Sequence, residues 1–283
     1  MGQGARFVFK SALILALVAM PRPGSALELP ELAERTKPSV VLITIYDGSG
    51  HKLGTGSGFF ITAGGRLVTN VHVIDEAGRA TASVADGRVV DIEGVLAKDP
   101  DADVAVLQTA GGGTYPALPL GESKSLVAGQ EVVVIGSPMG LAGTLSTGIV
   151  SAIRDKGLID DEPPTKGPTG DSWRIQITAP ISPGSSGSPI LTRDGRVVAV
   201  AVGRRMGGEN LNFGIPIERV LALLQGVGDH AAPQPFAGVA ERPQLLRNLS
   251  ISAAVFAAGA LAYVFWRRRG RGGAAASAPR MRS

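Results

Sequence analysis

The chain has 283 residues, 44% hydrophobic and 18% charged, which suits one or two packed domains and excludes a mainly disordered chain. It has no cysteine, which excludes disulfide scaffolds and thiolate chemistry, and only three histidines, His51, His72 and His230, which speak against a multi-histidine metal centre, so no cofactor or metal is expected. The formal charge of +4 sits at the ends: residues 1–26 and 267–283 carry no acid, leaving 19 basic against 24 acidic residues between them, without the basic groove that nucleic acid needs.

At the N-terminus, Arg6 and Lys10 precede an apolar run, Ser11–Met20, followed by Pro21, Pro23 and Gly24-Ser25-Ala26. That run is too short to span a bilayer comfortably and has the layout of an export signal over residues 1–26, with cleavage expected after Ala26 and an uncleaved membrane anchor as the alternative. Beyond it, short β-branched runs alternate with glycine-rich turns, the pattern of an all-β protein. Strands are expected at Ser39–Tyr46, Gly56–Ile61, Arg66–Thr69, Thr81–Val84, Val89–Leu96, Val104–Gln108, Glu131–Gly136, Leu145–Ile153, Arg174–Ile177, Pro189–Leu191, Val197–Arg204 and Asn210–Ile215. Twelve strands at this spacing suggest two barrels, with a seam in Ala110–Ala117 where Gly111-Gly112-Gly113 breaks any strand.

Two amphipathic helices are expected, at Glu31–Thr36 and, after Pro216, over residues 217–225. Asp155–Asp171, rich in glycine, proline and charge, reads as an exposed loop, and residues 226–248, with Pro233, Pro235 and Pro243, as a linker. Leu249–Trp266 is an uncharged run of 18 residues that would reach about 27 Å as a helix. Arg267, Arg268 and Arg269 follow it, so it reads as a membrane anchor with a cytoplasmic tail, 267–283, and with residues 27–248 exported.

Three signals bear on chemistry, in the order His72, Asp103, Ser186. His72 follows a strand in Thr69-Asn70-Val71-His72-Val73-Ile74, and Asp103 opens the apolar run Asp103-Val104-Ala105-Val106-Leu107. Ser186 stands in Pro183-Gly184-Ser185-Ser186-Gly187-Ser188-Pro189, where glycines permit a tight turn that presents a hydroxyl beside backbone N–H groups. Taken singly, each residue is as well explained as a structural histidine, a strand-start acid and an ordinary turn. Their order is that of the chymotrypsin-type triad, and the Gly-x-Ser-x-Gly elbow of α/β-hydrolases fails at Ser188.

With Gly54-Thr55-Gly56-Ser57-Gly58-Phe59, Val134–Leu141, Thr147–Ala152 and Asn212–Ile217, these motifs make residues 30–225 resemble an HtrA/Deg-type serine protease of the trypsin-like superfamily. The resemblance implies two six-stranded antiparallel β-barrels, about 38–110 and 118–216, within a protease domain at 27–225. It implies a triad of His72, Asp103 and Ser186, an oxyanion hole from the backbone N–H groups of Gly184, Ser185 and Ser186, and no cofactor. The implied activity is a serine endopeptidase acting on exported or misfolded polypeptides in the cell envelope. Such proteases that favour arginine or lysine carry an aspartate six positions before the nucleophile; here that position is Pro180, so Pro180, Ile181, Ala201, Val202 and Gly203 are expected to form an apolar substrate pocket.

The chain departs from the family pattern at Ser185, usually asparagine, and at Ser188, usually glycine, each adding a hydroxyl beside the nucleophile. Those departures keep a second reading open, a catalytically silent binding or scaffold protein on the same fold. The span between Leu224 and Leu249 leaves no room for the family's PDZ module, and a homo-oligomer stays open.

Overall fold

The computed structural model describes residues 26–137, 143–155, 173–202, 211–228 and 231–238. All of the expected export signal but Ala26, nearly all of the Asp155–Asp171 loop, Gly203, His230, the apolar run Leu249–Trp266 and the basic tail lie outside the described residues. Among the described residues no helix is long and apolar enough to cross a membrane.

Twelve strands form two closed antiparallel barrels. The first comprises β1 (Val40–Tyr46), β2 (Lys52–Phe60), β3 (Arg66–Thr69), β4 (Arg79–Ser83), β5 (Val89–Asp99) and β6 (Val104–Thr109), in the order β1-β2-β3-β6-β5-β4. It closes where Leu42–Tyr46 of β1 pair with Ser83–Arg79 of β4. The second comprises β7 (Glu131–Gly136), β8 (Thr144–Asp155), β9 (Trp173–Ile177), β10 (Pro189–Leu191), β11 (Val197–Val202) and β12 (Asn212–Pro216), in the order β10-β11-β12-β9-β8-β7. Closure leaves neither barrel with a free sheet edge running its full length. Helices α1 (Leu29–Thr36) and α3 (Ile217–Gln225) bracket the pair, and the single turn α2 (Val71–Ile74) follows β3.

Three apolar clusters hold this together. Ile43, Phe60, Leu67, Ala82 and Leu107 fill barrel one, and Val132, Val134, Ile175, Ile177 and Ile190 fill barrel two. The third lies between them: Phe59, Val68, Val104 and Val106 from barrel one meet Val133, Ile135, Leu191, Val200 and Ile215 from barrel two, sealed by Leu32 of α1 and by Ile217 and Val220 of α3. Period-2 alternation explains the division, since Phe59 and Phe60, adjacent in β2, are both fully buried but on opposite faces of the sheet.

The connection between the barrels is longer than the expected seam, running from Ala110 to Gln130 and including a 3-10 turn at Ser123–Ser125. It stitches the two halves: Leu118 N–H donates to Phe60 O (2.9 Å), while Val197 N–H donates to Pro119 O (2.9 Å) and Gly121 N–H to Val197 O (2.8 Å). The Ser123 hydroxyl then caps α3 by accepting the Ile217 N–H at 2.8 Å, and Glu218 accepts the Ser123 N–H at 2.9 Å.

One expectation fails. Residues 231–238, read as linker, turn back onto barrel one, where Gln234 forms a bridge with Val95 of β5 and Phe236 is buried in the barrel-one cluster. Prolines spaced through a polar stretch signal the absence of helix and ladder, but one aromatic side chain and two backbone bonds suffice to dock such a segment.

Because Phe59 is shared by both barrels, Phe59→Ala is expected to lower unfolding free energy by about 3–5 kcal/mol. Urea titration followed by tryptophan fluorescence and by far-ultraviolet circular dichroism should show coincident transitions at a lower midpoint.

Candidate active site

Helix α2 is one turn long and its N-terminus has no side-chain cap, so its placement comes from packing rather than helical propensity. Val71, Val73 and Ile74 are buried in the barrel-one cluster, which leaves His72 on the outer face with its side chain 50% exposed. The histidine is gripped twice by one carboxylate: its backbone N–H donates to Asp103 Oδ1 at 3.0 Å, and its Nδ1 lies 2.7 Å from Asp103 Oδ2. A carboxylate offers only acceptors, so Nδ1 carries a proton, and in the neutral imidazole the lone pair falls on Nε2, on the far side of the ring from Asp103.

Asp103 reaches this position through an unusual backbone. Its φ of +64° is the only positive value among the described non-glycine residues, and aspartate is one of the few residue types that tolerates the left-handed region. The turn before it is braced on three sides. Asp99 Oδ1 accepts the Ala102 N–H at 3.0 Å, Arg174 of β9 donates to Ala102 O at 3.3 Å, and the buried Asn70 donates from Nδ2 to Asp103 O at 2.8 Å. Arg219 of α3 lies 3.7 Å from Asp99.

Two consecutive turns, closed by Ser185 N–H to Ser182 O (2.9 Å) and Ser188 N–H to Ser185 O (3.0 Å), present Ser186, which takes the second position of the latter. In the first, Pro183 and Gly184 take the central positions and Gly184 has φ +92°, the type II arrangement in which proline presets the first corner and glycine supplies the second. Among the described residues the Gly184 N–H has no acceptor.

Ser57 ties this double turn to barrel one. Its N–H donates to Ser186 O at 2.8 Å, its hydroxyl donates to Gly184 O at 2.7 Å and accepts the Ser137 N–H at 2.9 Å, and its carbonyl accepts the Thr69 hydroxyl at 2.7 Å. The structure thus bonds His72 to Asp103 directly and fastens Ser186 to the strand beneath α2. The Gly-Ser-Gly pattern around Ser57 was visible in the sequence, but its role depends on a partner 127 positions away.

The remaining expected residues fall differently. Ser188, read as adding a hydroxyl beside the nucleophile, is fully buried and faces Gly136, where a Cβ would overlap its Oγ. Ser185 is 5% exposed, and its N–H, expected in the oxyanion hole, is instead spent on Ser182 O to close the first turn. Of the expected pocket, Pro180 is exposed and its carbonyl accepts the Ser146 hydroxyl at 3.0 Å, while Ile181 is half-buried against the barrel-two core. Ala201 belongs to that core, so its side chain does not face an open pocket; its backbone instead pairs with Gly187 and Ser188. Val202 packs on the inter-barrel cluster. His51 lies in the β1–β2 turn, where the Ser49 hydroxyl and the His51 N–H hold the Asp47 carboxyl well below the usual carboxylate range.

The profile of the trypsin-like peptidase domain matches residues 56–200, about half of the chain. The chain belongs to that family. The peptidase domain is 34% identical over 205 residues to mitochondrial serine protease HTRA2 of Bos taurus, covering 69% of this chain and 42% of that protein. It is 39% identical over 166 residues to a probable periplasmic DegP-like serine endoprotease of Pseudomonas fluorescens, covering 58% and 33%. Among solved structures, an HtrA-type protease, AlgW, with a tripeptide superimposes with a TM-score of 0.61 at 26% identity, covering 72% of this chain and 64% of that one. The chain spans less than half the length of these two curated relatives.

The Ser188–Gly136 contact predicts a compensating pair in the peptidase domain. Gly136→Ala should destabilise by about 1–3 kcal/mol through overpacking, and adding Ser188→Gly should recover most of the loss, as read by thermal unfolding.

Proposed function

We propose that the chain is a serine endopeptidase that cleaves polypeptides through Ser186, His72 and Asp103. The observation that carries this reading is the two-pronged contact of Asp103 with His72, which selects the tautomer of the neutral imidazole whose Nε2 can serve as a base. Ser186 Oγ attacks the substrate carbonyl and forms a C–O bond as its proton passes to Nε2. The tetrahedral oxyanion is received by the N–H groups of Gly184 and Ser186, with Ser185 beside them, in a turn whose Gly184 N–H has no acceptor of its own among the described residues. Collapse breaks the C–N bond, the imidazolium protonates the leaving amine, and water then releases the acyl group from Ser186 by the same steps in reverse order. Asp103 keeps the imidazole in one tautomer and stabilises its cationic form.

The natural substrates we infer are exported or misfolded proteins of the cell envelope. This rests on the leader-like N-terminus and on DegP-like relatives described as periplasmic. In the same reading Leu249–Trp266 anchors the domain in the inner membrane, with residues 267–283 on the cytoplasmic side.

Ser186→Ala and His72→Ala should each reduce cleavage of an unfolded model protein by several orders of magnitude, and the double variant should be scarcely worse, because the members act as a unit. A fluorophosphonate should label the wild-type chain and not Ser186→Ala; labelling of both variants alike would refute the assignment.

On the acyl side of the cut, residues 177–191 contain no carboxylate, and Ile181 and Val202 offer aliphatic surface. A cationic side chain would there lose its hydration without gaining a partner. Peptide-library profiling should therefore enrich valine, alanine, isoleucine or leucine; dominant cleavage after arginine or lysine would contradict the pocket.

A further inference from the structure

Beyond α3 the chain crosses barrel one as a strap. Arg66 at the start of β3 donates to Gly228 O at 2.8 Å, and further along Gln234 exchanges both backbone bonds with Val95, each at 2.8 Å. The bridge falls where β5 has lost its neighbour, since β4 pairs with β5 only from Val89 to Ile92. Gly94 is required there: a Cβ would overlap Gln234 O. Phe236, 4% exposed, then enters the barrel-one cluster that contains Val73, Ile74 and Ala77. Gly238 N–H ends the strap on Ala77 O at 3.1 Å, and Ala77 N–H itself donates to Ile74 O at 3.0 Å.

The strap therefore lands on the C-terminal end of the turn that carries His72. That turn has four residues and no side-chain cap, so its orientation is set by what packs against it. A cleft of about 270 Å³, lined by Ile74, Asp75, Leu96, Lys98, Pro235 and Phe236, lies beside this packing, so removing the phenyl ring would enlarge a space that is already open.

We propose that residues 231–238 are a positioning element for His72: Phe236 and the Gly238–Ala77 bond hold α2 so that the imidazole stays on Asp103, which makes the segment after the closing helix part of the catalytic apparatus. The proposal rests on the peptidase reading for its link to turnover. Phe236 touches neither substrate nor the reacting atoms and acts only through α2.

The test uses the full chain with three variants. Phe236→Ala removes the ring; Gly94→Ala displaces Gln234 from β5 without replacing any residue of α2 or of the barrel-one cluster; Phe236→Leu keeps apolar volume. Turnover of an unfolded model protein is measured as kcat and KM, and amide hydrogen exchange is followed in peptides covering 70–78 and 189–200. Phe236→Ala and Gly94→Ala are expected to lower kcat at least about tenfold with KM within about twofold, and to speed exchange at 70–78 alone. Phe236→Leu should restore most of kcat. Unchanged kcat, exchange raised equally in both peptides, or no recovery with leucine would each overturn the proposal. A wild-type chain that neither cleaves protein nor reacts with a fluorophosphonate would refute the peptidase reading instead, and the exchange at 70–78 would still decide whether the strap holds α2.

Discussion

The site depends on one buried serine. Ser57 is fully buried in β2 and joins three segments: its N–H and hydroxyl both donate to the turns around Ser186, its hydroxyl also accepts from Ser137 just after β7, and its carbonyl accepts from Thr69 at the end of β3 just before α2. Each bond alone contributes about 0.5–1.5 kcal/mol net, so their importance lies in geometry more than in energy. A buried hydroxyl that donates to Gly184 O and accepts from Ser137 N–H has little freedom to move, because leaving either partner unpaired in the interior costs more than the bond contributes. Barrel one and barrel two are thereby registered to one another at the atoms where the chemistry requires it.

Strain is concentrated at the other pole of the site. Asp103 sits in the left-handed region, outside the conformations most residues prefer, and is surrounded by braces from three directions: Asn70 from barrel one, Arg174 from barrel two through Ala102, and Arg219 from α3 through Asp99. The cost of such a backbone is on the order of 1–3 kcal/mol, and it persists where the surroundings over-determine it. What the strain achieves is visible in the bonds, since both carboxylate oxygens reach the same histidine, one at its main chain and one at its ring.

Much of this was legible in the sequence. The bounds of β3, β7 and β10 follow directly from runs such as Arg66–Thr69 and Glu131–Gly136 between turn residues, because β-branched alternation is a local signal. The start of β2 was not, since Lys52–Thr55 includes a glycine and follows a Gly-Ser-Gly turn that reads as loop. His72, Asp103 and Ser186 could be picked out by order and context. Ser57, the inward turn of Ser188 toward Gly136, the burial of Ala201 in the barrel-two core and the docking of Phe236 could not. Each is defined by contact with residues far away in sequence, and a hydroxyl or a phenyl ring has no periodic pattern that announces its partner.

Each barrel is built from one uninterrupted stretch, with strands from Val40 to Thr109 in the first and from Glu131 to Pro216 in the second. A chain that emerges N-terminus first can close the strand ladder of barrel one before barrel two has folded, but the braces from Arg174 and Arg219 beside Asp103 and the seating of Phe236 in the barrel-one core come from residues synthesised later. The turn around Ser186 has no such independence, because its fastening to Ser57 closes a loop of 127 positions and needs both halves. On the proposed peptidase reading, reactivity is consequently the last property the molecule acquires: neither His72 nor Ser186 is held in place until later residues have docked, so the growing chain is harmless to itself until its architecture is finished.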